Sequence, residues 1–138
     1  MAMRDLYSKI KVARALSPVS VADNTAAVSE IVDRVGYDSL VFVILLGSIA
    51  DADATFAVTM DEGDDSALSD ASAVAAADLL GSYSGAGFIF SSDNGVRKIG
   101  YKGAKRYVRL TITPSANASA ALMAVGAILG HAYLEPVS

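Results

Sequence analysis

The 138-residue sequence contains no cysteine, no tryptophan and a single histidine, His131. The lack of cysteine excludes disulfides, thiolate metal sites, iron–sulfur clusters and cysteine nucleophiles. A lone histidine leaves little material for a zinc site or for general-base catalysis. These absences favour a non-enzymatic protein, and we expect no catalytic residue, no cofactor and no bound metal ion.

Charged residues make up only 19% of the chain, against 53% hydrophobic residues, and the formal net charge is −4. Such a composition excludes intrinsic disorder, and an acidic surface disfavours phosphate-dominated nucleic-acid binding. The apolar run over residues 40–50 has 11 residues, whereas a spanning helix needs about 20. We therefore expect neither a nucleic-acid partner nor a membrane partner.

The length favours one domain preceded by a short basic segment. The first 17 residues carry Arg4, Lys9, Lys11 and Arg14 but lack the apolar core of a signal peptide. We interpret residues 1–17 as an N-terminal arm that packs on a neighbour, with a targeting or membrane-surface helix as the alternative. Residues 18–138 are predicted to be a single β-sandwich domain.

Short apolar or alternating runs separated by Gly, Asp, Asn and Ser clusters predict an all-β fold. The nearly continuous apolar run over residues 39–46 is typical of a strand buried on both faces or in a sandwich core. Residues 55–61 alternate, so that Phe56, Val58 and Met60 share one face. Connections of 10–20 residues between strands suit Greek-key crossings, so a β-sandwich with jelly-roll topology is the favoured architecture.

Residues 88–113 are predicted to form a three-stranded meander. The Asn94-Gly95 pair is a strong hairpin signal, because both turn positions need a positive φ. In the last strand Val108, Leu110 and Ile112 are expected to point inward, and Pro114 is expected to end the strand.

Residues 64–82 form the one stretch without a clear strand pattern. A short Ala-rich helix over residues 70–80, capped by Ser69 or Asp70 and stopped by Gly81, is predicted there. The alternative is a long acidic loop that carries one helical turn.

The charges are segregated along the chain. Residues 51–78 contain eight acidic and no basic residues, whereas residues 96–134 contain six basic and no acidic ones. One hypothesis is that the two sets form complementary patches for assembly; the alternative is that they are solvated charges that keep an apolar chain soluble. The six candidate interaction residues are Arg97, Lys98, Lys102, Lys105, Arg106 and Arg109.

Other chemical patterns are weak. The acidic cluster at residues 61–65 lacks the alternating oxygen ligands of an EF-hand loop, and no Gly-x-Ser-x-Gly elbow accompanies His131. Basic residues beside Tyr101 and Tyr107 hint at single-strand nucleic-acid binding, which the net negative charge disfavours. The sequence Asn117-Ala-Ser119 matches a glycosylation acceptor.

Two blocks of the chain resemble small head-decoration or cement proteins of tailed bacteriophages. They are residues 33–81 (DRVGYDSLVFVILLGSIADADATFAVTMDEGDDSALSDASAVAAADLLG) and residues 96–115 (VRKIGYKGAKRYVRLTITPS). The resemblance implies a jelly-roll-like structural protein on the outer face of a virion capsid, made in the host bacterium. It implies the major capsid protein and further copies of the chain as partners, and it carries no functional residue over.

The favoured function is therefore a non-enzymatic capsid cement protein that stabilises contacts between major capsid protein subunits. The first alternative is another virion structural role, in a tail or connector. The second is a carbohydrate- or receptor-binding β module, although the chain has only 7% aromatic residues. An enzyme comes last.

Overall fold

Two antiparallel β-sheets pack face to face in the computed structural model, which describes residues 4–134. Sheet A has the strand order β1-β11-β4-β9-β7, and sheet B has the order β2-β10-β5-β6, with β3 also pairing β10 and β8 also pairing β5. The strands are β1 (Ile10–Val21), β2 (Ala27–Val28), β3 (Val32–Asp33), β4 (Tyr37–Ile49), β5 (Thr55–Gly63), β6 (Ser72–Ala73), β7 (Leu79–Leu80), β8 (Phe88–Ile89), β9 (Val96–Tyr101), β10 (Tyr107–Ser115) and β11 (Ala121–Ala132). One short helix, α1, spans Tyr83–Ala86, and 3₁₀ turns cover Tyr7–Lys9, Ala76–Asp78 and Phe90–Ser92.

The strand order is that of a jelly roll. Strands β2 and β3 lie along the same edge of β10, and β6 and β8 lie along the same edge of β5, so each pair fills one strand position. The sheets then read β1-β11-β4-β9 and β2/β3-β10-β5-β6/β8, and the chain crosses repeatedly between them. The predicted all-β sandwich is confirmed.

The core lies between the inner faces of the two sheets. Phe42 and Ile44 of β4 are fully buried and belong to the same apolar cluster as residues from sheet B. The face that the β5 residues were predicted to share is buried, and the predicted inward residues of β10 are confirmed. All six have exposures of 2% or less: Phe56, Val58, Met60, Val108, Leu110 and Ile112. Buried and exposed residues alternate along these strands, because successive side chains point to opposite faces of the sheet and only one face packs against the core.

The apolar run over residues 39–46 lies within β4 and is buried on one face alone. Leu40, Phe42, Ile44 and Leu46 point into the core, whereas Leu45 on the other face is 53% exposed. Burial on both faces was one of the two expected arrangements, and the sandwich-core arrangement is the one found.

The predicted meander over residues 88–113 is wrong. Strand β8 pairs with β5 in sheet B, β9 pairs with β4 and β7 in sheet A, and β10 returns to β5 in sheet B. Asn94 does adopt a positive φ of 56°, and its N–H donates to the carbonyl of Gly47. The turn therefore redirects the chain from one sheet to the other instead of closing a hairpin.

The predicted helix over residues 70–80 is also wrong. That stretch contains β6, the 3₁₀ turn Ala76–Asp78 and β7, which resembles the alternative of an acidic loop with one helical turn. The Asp70 carboxylate accepts hydrogen bonds from the N–H groups of Asp64 and Asp65, and Leu79 is buried beside its β9 partner Tyr101. Side-chain bonds to the local backbone stabilise loops in competition with a helix.

Pro114 does not end β10, which continues to Ser115. Leu110 exchanges hydrogen bonds with Ser29 on the edge of β10 that faces β2, and Pro114 turns its nitrogen to the same edge. Strand β2 pairs there only with Thr111 and Ile112. The missing N–H of the proline therefore breaks no ladder bond.

The predicted boundary after residue 17 falls inside β1, which is a correction to the arm of residues 1–17. Residues 10–17 pair with β11, beginning with Ile10 opposite Gly130, so they form an edge strand and do not extend from the domain. Residues 4–9 precede the strand as an exposed segment with one 3₁₀ turn. Residues 1–3 of the predicted arm lie outside the described residues. Within residues 4–134 no helix is long and apolar enough to cross a membrane.

Candidate interaction surface

The six predicted interaction residues do not lie on one face. Arg97 and Lys98 lie on β9 in sheet A, and Arg109 lies on β10 in sheet B. Lys102, Lys105 and Arg106 lie in the connection between these strands. Because the chain changes sheet between β9 and β10, the six side chains are divided between the two sheets and one end of the sandwich.

Three of the six cations pair with carboxylates of the same chain. Lys105 Nζ lies 3.0 Å from Asp64 Oδ2, Arg106 Nε lies 2.8 Å from Asp33 Oδ1, and Arg109 Nη2 lies 3.6 Å from Asp61 Oδ2; these are the three described ion pairs. The hydrogen bond from Arg106 is the main cause that lowers the pKa of the Asp33 carboxyl. Part of the segregated charge is therefore neutralised by ion pairs within the same chain.

The remaining three cations differ in exposure and in the contacts that their side chains make. Arg97 is half-buried, and it donates to Ser92 Oγ at 3.0 Å and to the carbonyl of Gly87 at 3.4 Å. Lys98 and Lys102 are exposed, and neither side chain makes a hydrogen bond or ion pair within residues 4–134. Lys98 is aligned with Val43 on the outer face of sheet A.

A buried polar cluster at one end of the sandwich was not found from the sequence. Arg34 is 9% exposed and donates to the carbonyls of Lys105, Gly103, Tyr37 and Asp38 at 2.9–3.3 Å. Its guanidinium carbon lies 5.0 Å from the centre of the Tyr101 ring. The cluster holds the β9–β10 connection against the turn before β4.

Tyr101 completes this cluster. Its hydroxyl donates to Glu62 Oε1 at 2.6 Å and accepts from the N–H of Lys105 at 3.0 Å. Burial is the main cause that raises the pKa of Tyr101 well above its usual value, so the phenol stays protonated and remains a donor. Tyr101 lies two positions after Ile99 on β9, so the alternation of a strand places both on the same face. This spacing was the one sequence signal that Tyr101 points inward.

The structure also places the other candidates for chemistry. His131 Nδ1 is hydrogen-bonded to Ser39 Oγ, and within residues 4–134 neither of them has an acidic partner. Across residues 4–134, no three His, Asp or Glu side chains are grouped as metal ligands. Asn117 is buried, and its side-chain nitrogen donates to the carbonyls of Val21 and Asp23, so the glycosylation motif is inaccessible.

The outer face of sheet A is apolar across all five strands. Its exposed or half-buried side chains alternate with the buried core positions, and register places them side by side, for instance Val41 opposite Ile128 and Leu45 opposite Val96. The larger apolar members are Ile10, Val12, Val41, Val43, Leu45, Leu80, Val96, Leu122 and Ile128. We call this set the A face.

The outer face of sheet B, which we call the B face, is polar. Thr111 lies opposite Thr59, and Arg109 lies opposite its ion-pair partner Asp61. Thr113 is exposed opposite Ala57. The two outer surfaces of one sandwich therefore differ in chemistry.

The outward positions of β11 on the A face include small residues, which Ile128 interrupts between Gly126 and Gly130. Ala124, Gly126 and Gly130 point outward, and a Cβ added at Gly126 would come no closer than 3.9 Å to another atom. A Cβ at Gly130 would meet no atom within 4 Å. We call the gap over Ala124 and Gly126 the β11 trough; Arg14 of β1 and Val43 of β4 flank Gly126.

The edges of sheet A are poorly suited to adding another strand. Strand β1 has register irregularities between Arg14 and Leu16 and between Leu16 and Val19, and it contains Pro18. The opposite edge is β7, which has two residues. Bulges, proline and short edge strands disfavour edge-to-edge pairing, so sheet A presents a face for contact more readily than an edge.

Comparison with known proteins identifies the fold but no family. No protein-family model matches the chain, and no curated protein sequence matches it. The PBSX exported protein XepA superposes with a TM-score of 0.60 at 13% identity, over 93% of this chain and 39% of XepA. The chain thus spans about two fifths of the length of XepA, and the likeness shows a common fold.

Two further solved structures are more distant. One is described as Bacillus endospore appendages that form disulfide-linked pili, with a TM-score of 0.41 and 14% identity over 88% of each chain. The other contains the CBM22-1 and GH10 modules of a Clostridium thermocellum xylanase, with a TM-score of 0.46 and 10% identity over 96% of this chain and 28% of that one.

Proposed function

We propose that this chain is a non-enzymatic structural protein of a phage particle that binds the outside of the capsid and stabilises contacts between major capsid protein subunits. The observation that carries the proposal is the A face, an apolar outer surface that stays largely exposed among residues 4–134 although the core between the sheets is buried. Monomeric soluble proteins rarely expose an apolar patch larger than a few hundred Å². Such a face is suited to permanent association with another protein.

Three further observations support a structural role. Within residues 4–134 the polar clusters are engaged with the chain itself, as Arg34 and Tyr101 illustrate, and this favours a rigid building block. The sandwich blunts its sheet-A edges, which favours defined attachment over open-ended polymerisation. XepA is an exported protein of the PBSX phage, and a shared fold is consistent with a phage structural protein.

Many copies on one shell would bind strongly even if each contact were weak. A copy held beside its neighbours experiences a high effective concentration, so modest contacts sum to a stable lattice. In the proposed role each A face would cover part of the shell, and neighbouring copies would restrain the subunits beneath them.

The test is the number of copies of this chain in purified particles, measured against the major capsid protein by quantitative mass spectrometry. We expect a ratio of one per capsid subunit or a simple fraction of it. We also expect particles that lack the chain to release DNA at lower temperature. A dozen copies or fewer would overturn the cement role and favour a tail or connector component, and complete absence would overturn a virion role.

A carbohydrate-binding module is the second candidate, favoured by a shallow cavity of about 660 Å³ beside β5 and β8. Hydroxyl-bearing side chains line it, including Thr55, Thr59 and Ser92. However, the aromatic rings that line it offer no exposed stacking platform: Phe56 and Phe88 are buried and stacked on each other, and Tyr83 packs against the core. Retarded migration of the chain in gels that contain soluble polysaccharides would support this candidate.

A further inference from the structure

The charges on the A face are of one sign, although the protein as a whole is acidic. The outward positions of its strands carry two charged side chains, Arg14 and Lys98, and no acidic one in the part of the chain that the structure describes. Lys9 lines the end of the face near Ile10. A cationic apolar surface on a protein of net charge −4 is electrostatically matched to carboxylates on a partner.

The face is large enough for a specific interface. Five strands at about 4.8 Å spacing span about 19 Å, and the outward residues of β11 from Leu122 to Gly130 extend about 27 Å. The projected area is roughly 500 Å², and the accessible area of a corrugated surface is larger. With its rim, the face approaches the roughly 800 Å² that each partner contributes to a standard interface.

The shape of the A face is also suited to binding, because it contains a gap between its side chains. Leu45, opposite Ala124, is 53% exposed, and Arg14 and Val43 flank Gly126, which leaves the floor of the β11 trough without a side chain. A side chain from a partner can therefore be inserted between them and buried. Central apolar pockets of this kind contribute most of the binding energy in protein interfaces.

We propose that the A face is the docking surface for a different protein, one that presents an apolar surface with carboxylates opposite Arg14 and Lys98. The inference rests on the proposed function, under which that protein is the major capsid protein. A second copy of this chain is the poorer occupant. A twofold dimer through the A face would gather two copies of Arg14 and of Lys98 in one interface to which the strands of the described chain contribute no carboxylate.

The decisive variant is Gly126→Leu. A side chain at position 126 has room within the chain itself, because the nearest atom to its Cβ is the Ala13 carbonyl oxygen at 3.9 Å. The added side chain fills the β11 trough and blocks a partner from it. Leu45→Lys is the second variant, since Leu45 is exposed and the lysine opposes apolar contact. Thr113→Leu, on the B face, is the matched control.

The charge requirement is tested with a pair of lysines. Lys98 and Lys102 are both exposed and have no side-chain partner among the described residues, but Lys98 lies on the A face whereas Lys102 lies in the β9–β10 connection. We expect Lys98→Glu to weaken binding and to reduce its salt dependence, and we expect Lys102→Glu to leave binding unchanged.

Binding is measured by adding purified protein to particles assembled without it and quantifying the copies that sediment with them. We expect Gly126→Leu and Leu45→Lys to bind at least about tenfold more weakly than the wild type and Thr113→Leu to bind equally. If the wild type binds and the A-face variants bind as well, the docking inference fails while the proposed function stands. If the wild type does not bind, the proposed function fails and this docking inference falls with it.

Sedimentation velocity of the free protein distinguishes the other occupant. We expect the isolated wild type to remain monomeric over the concentration range used for binding. A wild-type dimer that Gly126→Leu converts to monomer would assign the A face to a second copy and would overturn the proposed occupant. Thermal unfolding of every variant confirms that a loss of binding is not a loss of fold.

Discussion

The A face and the B face belong to the same jelly roll, and their inner surfaces contribute equally buried side chains to one core. Outside, they differ. On the B face, polar residues lie opposite one another, as Thr59 does with Thr111 and as Asp61 does with its ion-pair partner Arg109. On the A face, the corresponding outward positions of β4 are Val41, Val43 and Leu45. The same alternating strand pattern thus buries one face of each sheet in the core, but it does not decide whether the other face is polar or apolar.

The difference also separates stability from binding. Residues on the B face interact with neighbours of the same chain, so changing them should alter the free energy of unfolding. The exposed apolar residues of the A face have few such neighbours, so changing them should alter association much more than folding. The following predictions test this separation.

The largest expected effect compares adjacent residues of β4. Phe42→Ala should lower the free energy of unfolding by about 3–5 kcal/mol, because it removes a fully buried ring and leaves a cavity. Val43→Ala, on the A face, should lower it by less than about 1 kcal/mol. Urea unfolding monitored by tyrosine fluorescence measures both. Equal losses would mean that the A face is part of the folding core.

A smaller effect compares the cations of the two faces. Arg109→Ala should destabilise the isolated chain by about 1 kcal/mol, because Arg109 and Asp61 are both largely shielded and lie opposite each other. Lys98→Ala should change stability by less than about 0.5 kcal/mol. The same unfolding experiment checks this, and a larger loss at Lys98 than at Arg109 would contradict the separation.

The smallest effect concerns Asp51, which joins the β4–β5 turn to the β10–β11 turn and so links the two sheets. Its carboxylate accepts from the N–H groups of Ala118 at 2.8 Å and Asp53 at 2.9 Å, and the bond from Ala118 is the main cause that lowers the pKa of Asp51. A lowered folded-state pKa stabilises the fold above the ordinary aspartate value near 4, and this contribution is lost as pH falls below it.

Asp51→Asn should therefore show a weaker loss of thermal stability between about pH 4 and pH 2 than the wild type does. Asp53→Asn is the matched control, because the Asp53 side chain accepts no hydrogen bond from residues 4–134. Melting temperatures across this pH range provide the measurement. Identical slopes for the wild type and Asp51→Asn would show that the link between the turns contributes nothing.

Local sequence patterns predicted the strands of this protein better than they predicted which strands pair with each other. The alternation of β5 and β10 identified their buried residues correctly, because a period of two depends only on the strand itself. Asn94-Gly95 marked a real turn, but the sequence did not reveal that β8 and β9 belong to different sheets. Pro114 was expected to end β10. It does not, because β2 begins at Ala27, opposite Ile112, and so has no residue paired opposite Pro114.

The candidate site shows the same limit. Arg97, Lys98, Lys102, Lys105, Arg106 and Arg109 were grouped because they are close in sequence, yet the change of sheet after β9 separates them. The acidic and basic segments do meet in space, through the pairs of Lys105 with Asp64 and Arg109 with Asp61. The A face was not found, because its residues come from five strands spread over the whole chain.

The sequence by itself determined that the chain is all-β, that its strands alternate, and that cysteine-based chemistry is absent, since these depend on composition and local period. The tertiary structure alone decided which sheet each strand joins and which outer surface stays apolar. The physical reason is that pairing and burial are set by contacts between residues far apart in the sequence. Val43 and Val58 look alike in sequence, but only the packing of sheet A on sheet B buries Val58 and leaves Val43 facing outward.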